Sequence, residues 1–460
     1  MSFPRYPEYK DSGVEWLGAV PKHWQVKRIR HVAQLNPSKT EIKQLDPEML
    51  VSFLPMEAVG DAGSLNLERE TTIAEVQSGY TYFREGDVTY AKITPCFENG
   101  KGAHMRGLLN GIGFGSTELV AVRPDYCQTT SEYLNWTFRS PVFRRLAEAS
   151  MYGAGGQKRV PDDFTRDFAL GFPKIEEQVL ISRFLSIETA KLDNLMAEQE
   201  KLITLLKEKR QAVISHAVTK GLDPAVPMKD SGVEWLGEVP AHWQLKRVKH
   251  FVNSFAQGWS PQCESYPVAS EDEWGVLKVG CVNGGIFNPE ENKSLPAELD
   301  PLPELGIRKG DLLISRANTR ELVGSAAVAL RDYPNLLLCD KLYRLRLDGA
   351  VISTEFVASY LSTGQVRGQI ELSASGASSS MLNISQATIL ELVIALPADE
   401  EQKEIVELIE SEQIKLNALI AQAQHAIDLL KERRTALISA AVTGQIDVRG
   451  LIKEEQEQAA

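Results

Sequence analysis

Two stretches of the chain repeat apolar residues at intervals of three, four and seven. From Gln178 to about His216 they fall at Leu185, Leu192, Leu195, Leu202, Leu206 and Val213. That is the heptad seam of a long helix. No Pro or Gly interrupts it before Gly221, and Glu176 and Glu177 sit where acid suits a helix N-terminus. A second stretch runs from Gln402 to about Val442, with Leu416, Leu419, Ile427, Leu430 and Leu437 on its seam. At 1.5 Å per residue each predicts a helix roughly 60 Å long. Neither stripe can be buried by its own helix, which predicts that the two pack on each other. The alternative is that each lies against its own globular domain.

Ahead of each helix the pattern changes to short alternating runs. Arg84 to Pro95 (REGDVTYAKITP) has a Gly-Asp turn followed by a strand, and Thr117 to Pro124 (TELVAVRP) reads as another strand. Ser131 to Ser150 reads as helical segments broken near Pro141. The later half repeats the arrangement: Lys309 to Asn318 (KGDLLISRAN), then Cys339 to Asp348 (CDKLYRLRLD), then a helical Thr354 to Leu372. Gly310 lies 224 residues after Gly86. The fold class expected is therefore α/β, with two α/β domains and two long helices that pack on each other.

This recurrence belongs to a tandem duplication. Lys10 to His31 (KDSGVEWLGAVPKHWQVKRIRH) returns as Lys229 to His250 (KDSGVEWLGEVPAHWQLKRVKH), and Trp16 answers Trp235 at an offset of 219 residues. The helical blocks match as well: Pro173, Glu177, Gln178, Leu206 and Arg210 recur as Pro397, Glu401, Gln402, Leu430 and Arg434, an offset of 224. Each copy reads as a repeated head, a divergent middle and a repeated helix. A repeat this long predicts two domains related by pseudo-two-fold symmetry, since solenoids stack several short units. The boundaries expected are 1–170 and 223–395 for the two domains with their heads, 171–222 for the central helix, 396–446 for the C-terminal helix, and 447–460 for a flexible tail outside the fold.

Composition narrows the class. The 460 residues are 43% hydrophobic and 24% charged, as in an ordinary globular protein. No apolar run is long enough to cross a bilayer, and the MSFPRYPEYK start lacks the apolar core of a signal peptide. Cys96, Cys127, Cys263, Cys281 and Cys339 form no CxxC pair. Free thiols in a reducing cytoplasm are expected, with neither a zinc site nor a disulfide framework. The net charge of −12 argues mildly against nucleic acid. Much of the acid, however, sits in the helical blocks and the terminus, so a local basic face would have to lie in the middles.

Catalytic signatures are missing. The sequence holds no GxxxxGK[ST] phosphate loop, no Asn/Asp-Pro-Pro-Tyr segment suited to a flipped base, and no glycine-rich turn suited to S-adenosylmethionine. Asp162 and Asp163 open a helix after Pro161 and are expected to cap it or to face water. His23, His31, His242 and His250 belong to the repeated heads, where packing or hydrogen bonding is expected. His104, His216 and His425 are isolated and lack metal-ligand spacing. No catalytic and no metal residue is assigned. Of Trp16, Trp24, Trp235 and Trp243, one of each pair is expected in the core, an interface contact being the other role open to them.

The heads, the GDV-YAKITPCFENGK run (Gly86 to Lys101), GSTELVAVRP (Gly115 to Pro124), the FPKIEEQ and LPADEEQ approaches to the helices, and the LLKEKRQAVISHAVTKGLD tail with its echo LLKERRTALISAAVTGQID together resemble the specificity (S) subunits of type I restriction-modification systems. The resemblance covers essentially the whole chain. It implies that each middle is a target recognition domain reading half of a split DNA sequence in the major groove, and that the helices form an antiparallel coiled coil. It implies a non-catalytic subunit that joins two methyltransferase (M) subunits and, for cleavage, motor-nuclease (R) subunits. S-adenosylmethionine, ATP and Mg would then be cofactors of those partners, with none in this chain. The alternative is a duplicated adaptor that docks two copies of a protein partner without DNA.

Residues for contact with double-stranded DNA are expected in the middles. In the first, the glycine-rich Met151 to Asp163 offers Gln157, Lys158 and Arg159, with Lys92 and Lys101 beside the Gly-Asp strand. In the second, Ser373 to Ser385 offers Ser378, Ser379, Ser380 and Asn383, and the Gly-Asp strand offers Arg316, Asn318, Arg320 and Lys341.

Overall fold

A computed structural model describes residues 3–61, 63–154, 156–378 and 381–451. The chain divides into two compact units. One is the chain up to Glu200 with the chain from His425 on; the other is Lys201–Gln424. Each division falls inside a helix, so each unit owns one half of each long helix. The helices are Ile175–Lys220, of 46 residues, and Asp399–Val442, of 44. At 1.5 Å per residue that is about 69 and 66 Å.

In the first unit Leu185 and Leu192 share a core with Leu437, Ile438, Ala441 and Val442. Arg434 Nε donates to Asp193 Oδ1 at 2.8 Å. In the second, Ile214, Ala217 and Val218 share a core with Ile405 and Ile409, and Arg210 Nη1 donates to Asn417 Oδ1 at 2.9 Å. Rising numbers on one helix meet falling numbers on the other, so the halves run antiparallel in both units. The seam is narrower than the heptad pattern predicts. Leu185, Leu192, Leu416, Ile427 and Leu437 are buried, whereas Leu195, Leu202 and Leu419 are 51%, 42% and 47% exposed. One partner helix covers only one row of a wider apolar stripe.

The two middles share one architecture. In the first, a four-stranded sheet runs Glu70–Thr72, Leu50–Leu54, Ile112–Gly115, Thr81–Arg84, and a second runs Ala33–Leu35, Leu119–Pro124, Val88–Ala91, Gly102–His104. The other unit repeats both orders, with Asn292–Ser294, Gly275–Leu277, Tyr333–Leu337, Gly306–Ile307 and with Val252–Gln257, Leu342–Leu347, Leu312–Ser315, Ala326–Val328. Even the parallel pairing within the first of these sheets recurs at the same place, Leu50–Leu54 with Ile112–Gly115 and Gly275–Leu277 with Tyr333–Leu337. The helical run of the first middle does break at Pro141: Ser140 caps the second segment and Pro141 takes its first turn. The corresponding run of the second middle was expected to be continuous. It breaks too, into Thr354–Leu361 and Gly364–Ser373 around Ser362 and Thr363.

The repeated residues turn out to be the joinery. Each head strand pairs with the strand that leads into a long helix, Gln25–Arg28 with Ala169–Phe172 and Gln244–Arg247 with Val393–Leu396. Glu177 accepts from Tyr6 Oη at 2.7 Å, Trp24 Nε1 at 3.0 Å and His23 Nε2 at 2.8 Å. Glu401 does the same for Trp243 and His242, at 3.0 and 2.8 Å. Gln178 binds the carbonyls of Gln128 and Pro173, as Gln402 binds those of Val351 and Pro397. A buried polar group needs such partners, which accounts for Glu-Gln standing at the start of both helices. Trp24 and Trp243 are the core members of the tryptophan pairs; Trp16 lies partly exposed, stacked on Phe168 at 4.9 Å.

The expectation that the fold ends near Ile446 is corrected. Ile446 and Val448 are buried in the core of the first unit, and Asp447 N–H donates to Pro4 O at 2.9 Å. Arg449 pairs with Asp447 and lies over the Tyr6 ring at 5.0 Å. Apolar residues at 446, 448 and 451 give the segment a face to bury. Of the tail, 452–460 lie outside the described residues.

Candidate nucleic-acid interface

Each Gly-Asp turn holds a buried carboxylate. Asp87 Oδ1 and Oδ2 take Nε and Nη2 of Arg123, both at 2.8 Å, and Oδ2 takes the Arg84 N–H at 2.9 Å. Burial works against the Arg123 charge, but the bonds to Asp87 and Glu41 outweigh it and hold the guanidinium protonated. Asp311 is bound in the same way by Arg346 and by the Arg308 N–H. The Gly-Asp motif thus fixes the strand beside it.

That strand leads into a small element of three extended segments in each unit, joined by isolated bridges in the first and by a three-stranded sheet in the second. In the first, Lys92 O accepts from Val160 N at 2.9 Å, Thr94 N donates to Lys158 O at 3.0 Å, and Arg159 bridges both Ile93 and Tyr152. Thr94 Oγ1 donates to Gly156 O at 2.6 Å and accepts from Lys158 N at 3.0 Å. In the second, Ala317–Asn318, Met381–Asn383 and Ser375–Ser378 form the sheet, and Arg316 O accepts from Ile384 N at 3.0 Å. The glycine-rich loop and the Gly-Asp strand, separate candidates in the sequence, are one hairpin-and-strand surface in space.

On that surface Gln157 and Lys158 are exposed. Arg159, partly buried, forks onto Glu118: Nε reaches both carboxylate oxygens at 3.0 and 3.2 Å, and Nη2 reaches Oε1 at 2.7 Å. The bond to Arg159 is the main reason the Glu118 carboxyl is held below the usual carboxylate range. Lys92 lies partly buried at the strand end. Lys101 faces elsewhere: its ammonium donates to Met56 O and Val59 O, both at 3.0 Å, and ties a loop. In the second unit Arg316 donates to Asp340 O at 3.2 Å, Asn318 accepts from the Thr319 N–H, and Arg320 is exposed. Lys341 and Asn383 are partly buried. Ser378 closes a strand, its side chain outside the described set, and Ser379 and Ser380 lie outside the described residues altogether.

Glu118 and Tyr152, which is 64% exposed beside Arg159, were not among the sequence candidates. An acid and an aromatic carry no DNA signal until the fold sets them against an arginine. A basic strip in each head was missed as well: Arg28 and Arg30 share Asp167, and Arg247 and Lys249 share Glu391. Among the described residues, no group of three or more His, Cys, Asp or Glu is placed to hold a metal ion.

No family model matches the chain. Curated proteins do. The EcoEI specificity subunit of Escherichia coli is 28% identical over 85% of this chain and 78% of its own length. The EcoAI specificity subunit, also of Escherichia coli, is 39% identical over 73% of this chain and 63% of its own. Both relatives are type I restriction enzyme specificity subunits, and this chain is similar to them over most of its length. Solved structures agree on the specificity-subunit fold. A chain from an assembly of a type I restriction-modification system matches 93% of this chain and 99% of its own with a TM-score of 0.73, at 18% identity. The HsdS subunit from Thermoanaerobacter tengcongensis matches 93% and 98%, with a TM-score of 0.56, also at 18% identity.

Proposed function

We propose that this chain is a specificity subunit and reads a bipartite DNA target, one half with each unit, through the hairpin-and-strand surfaces of Lys92–Val160 and Arg316–Ile384. The observation that carries the reading is one scaffold presented twice with different side chains on the same strands: Lys158 and Arg159 on one hairpin, Leu382 and Asn383 on the other. A fixed frame with variable surface residues is what two readers of different half-sites need, since base edges are distinguished by side-chain donors and acceptors. A coiled-coil adaptor without DNA gains nothing from that variation, and the relatives are specificity subunits.

The chain itself is non-catalytic in this reading and acts in the cytoplasm. It docks two M subunits, with R subunits joining for cleavage, and S-adenosylmethionine, ATP and Mg serve those partners. The repeated helices are the docking surface: Leu195 and Leu429 in one unit, and Leu202, Leu205, Ile414 and Leu419 in the other, are apolar and exposed. Repeated patches accept identical partners equivalently. Among the described residues no helix is long and apolar enough to cross a membrane. Native mass spectrometry of the chain with M subunits and DNA tests the proposal. Two M subunits per chain and retention of one bipartite sequence are expected; a one-to-one complex at saturating M, or binding indifferent to sequence, overturns it.

A further inference from the structure

We propose that Arg159, held by Glu118, reads a guanine in one half-site, and that Asn383, its counterpart in the second unit, reads an adenine in the other; this rests on the bipartite reading above. The two positions correspond hydrogen bond by hydrogen bond. Val160 N–H goes to Lys92 O and Ile384 N–H to Arg316 O, at 2.9 and 3.0 Å. Arg159 bridges Ile93 and Tyr152, and Asn383 pairs with Ala317 and Ser375. Arg159 and Asn383 lie 224 residues apart, the offset that also separates Glu177 from Glu401. The residues just after each Gly-Asp strand, Lys92 and Arg316, donate their N–H groups to the carbonyls of Glu118 and Lys341, both at 2.8 Å. Glu118 and Lys341 are therefore counterparts as well.

The side chains at these matched positions differ in the way base readers differ. Glu118 grips the Nε–Nη2 edge of Arg159, and Nη1 has no partner among the described residues. The Nη1–Nη2 edge still presents a planar pair of donors. That pair matches O6 and N7 of guanine in the major groove. The carboxylate also fixes the plane of the fork before DNA arrives, which removes ordering cost from binding. Asn383 needs no such buttress. Its amide offers one acceptor and one donor, the complement of adenine N6 and N7. It makes no side-chain hydrogen bond among the described residues, and the residue at the position of Glu118 is the cation Lys341. The carboxylate stands only where the reader is an arginine. Lys158, exposed next to Arg159, is left for phosphate.

The test is methylation mapping of the S–M complex, run beside binding to a panel of duplexes that each carry one substituted base pair. Arg159→Asn should lose preference at one G·C position of one half-site, by about 5- to 150-fold, with the other half-site unchanged. Asn383→Ala, which removes the amide, should do the same at one A·T position of the other half-site. Glu118→Gln should weaken the same G·C preference as Arg159→Asn without moving it to another position. The binding panel reports preference even from a variant that no longer methylates. Unchanged preferences in Arg159→Asn overturn the proposal. So does a uniform loss across all sequences with a shallower salt dependence, which marks a phosphate contact. So does loss at an A·T pair for Arg159 or at a G·C pair for Asn383. A wild-type complex with no bipartite target refutes the parent reading instead, and is seen before any variant is made.

Discussion

Replacing Glu177 and Glu401 in turn measures how each long helix is fastened to its head. Glu177→Ala strips three donors of their acceptor. Tyr6 is 3% exposed and Trp24 is 0%, while the His23 side chain is 41% exposed and can turn to water. Orphaning a buried donor costs about 1–3 kcal/mol. Two dry donors bring the loss to about 2–4 kcal/mol once the burial cost of the removed carboxylate is credited back. At Glu401 the aligned position of Tyr6 is Ala225, so only Trp243, at 1% exposure, is left dry, and His242 is 49% exposed. Glu401→Ala should therefore cost about 1–2 kcal/mol. Two units joined through shared helices need not unfold as one, so the assay should resolve them. Hydrogen exchange in urea, read on peptides from Lys10 to His31 and from Lys229 to His250, does this. Each variant should speed exchange in its own head, Glu177→Ala the more strongly. An equal or larger effect of Glu401→Ala would refute the count of dry donors on which the estimate rests.

Three further outcomes follow from the same geometry. Lys158→Ala should weaken binding to all sequences alike and lower the slope of log affinity against log salt by about one, whereas Lys101→Ala, which loses a loop tie to Met56 and Val59, should leave that slope unchanged; salt titrations of both check this. Arg159 depresses the Glu118 pKa, so their contact adds stability above the ordinary carboxylate range and gives it up as pH falls through the folded value; the protection factors of the amides around Tyr152 and Arg159, exchange normalised to the unprotected rate at each pH, should stay level from neutral pH down to about 5 and fall in stronger acid. Four residues inserted after Leu202 and four after His425 keep each antiparallel seam in step and add about 6 Å, so the unread gap of the target should grow by one to two base pairs at about 3.4 Å each, with both half-sites kept; methylation mapping reads the gap.

The long helices were legible because a 3.5-residue apolar period has few other solutions. The duplication was legible because joinery repeats: Glu177, Gln178, Trp24 and His23 must be the same residues wherever the same joint is made. The exposed seam leucines were not legible, since periodicity gives a stripe without saying how many partners cover it. The docked end, Ile446 to Leu451, was missed because three apolar residues in a short polar run look like fraying until the first unit offers them a core. In the candidate site the sequence marked the loop and the Gly-Asp strand that the fold brings together, but it did not show which way single side chains turn. Lys101 looked like a free donor and is turned onto two carbonyls. Glu118 looked like part of an ordinary strand and is the acid that orients Arg159 from 41 residues away. Such pairings are long-range, and nothing local in the chain announces them.

The central claim, that each unit reads its own half-site, is tested most directly by methylation mapping of a complex in which Val32 to Phe168 is replaced by the corresponding middle of another specificity subunit. The account predicts a target in which one half-site is new and the other is retained. A target changed in both halves, or in neither, would contradict it.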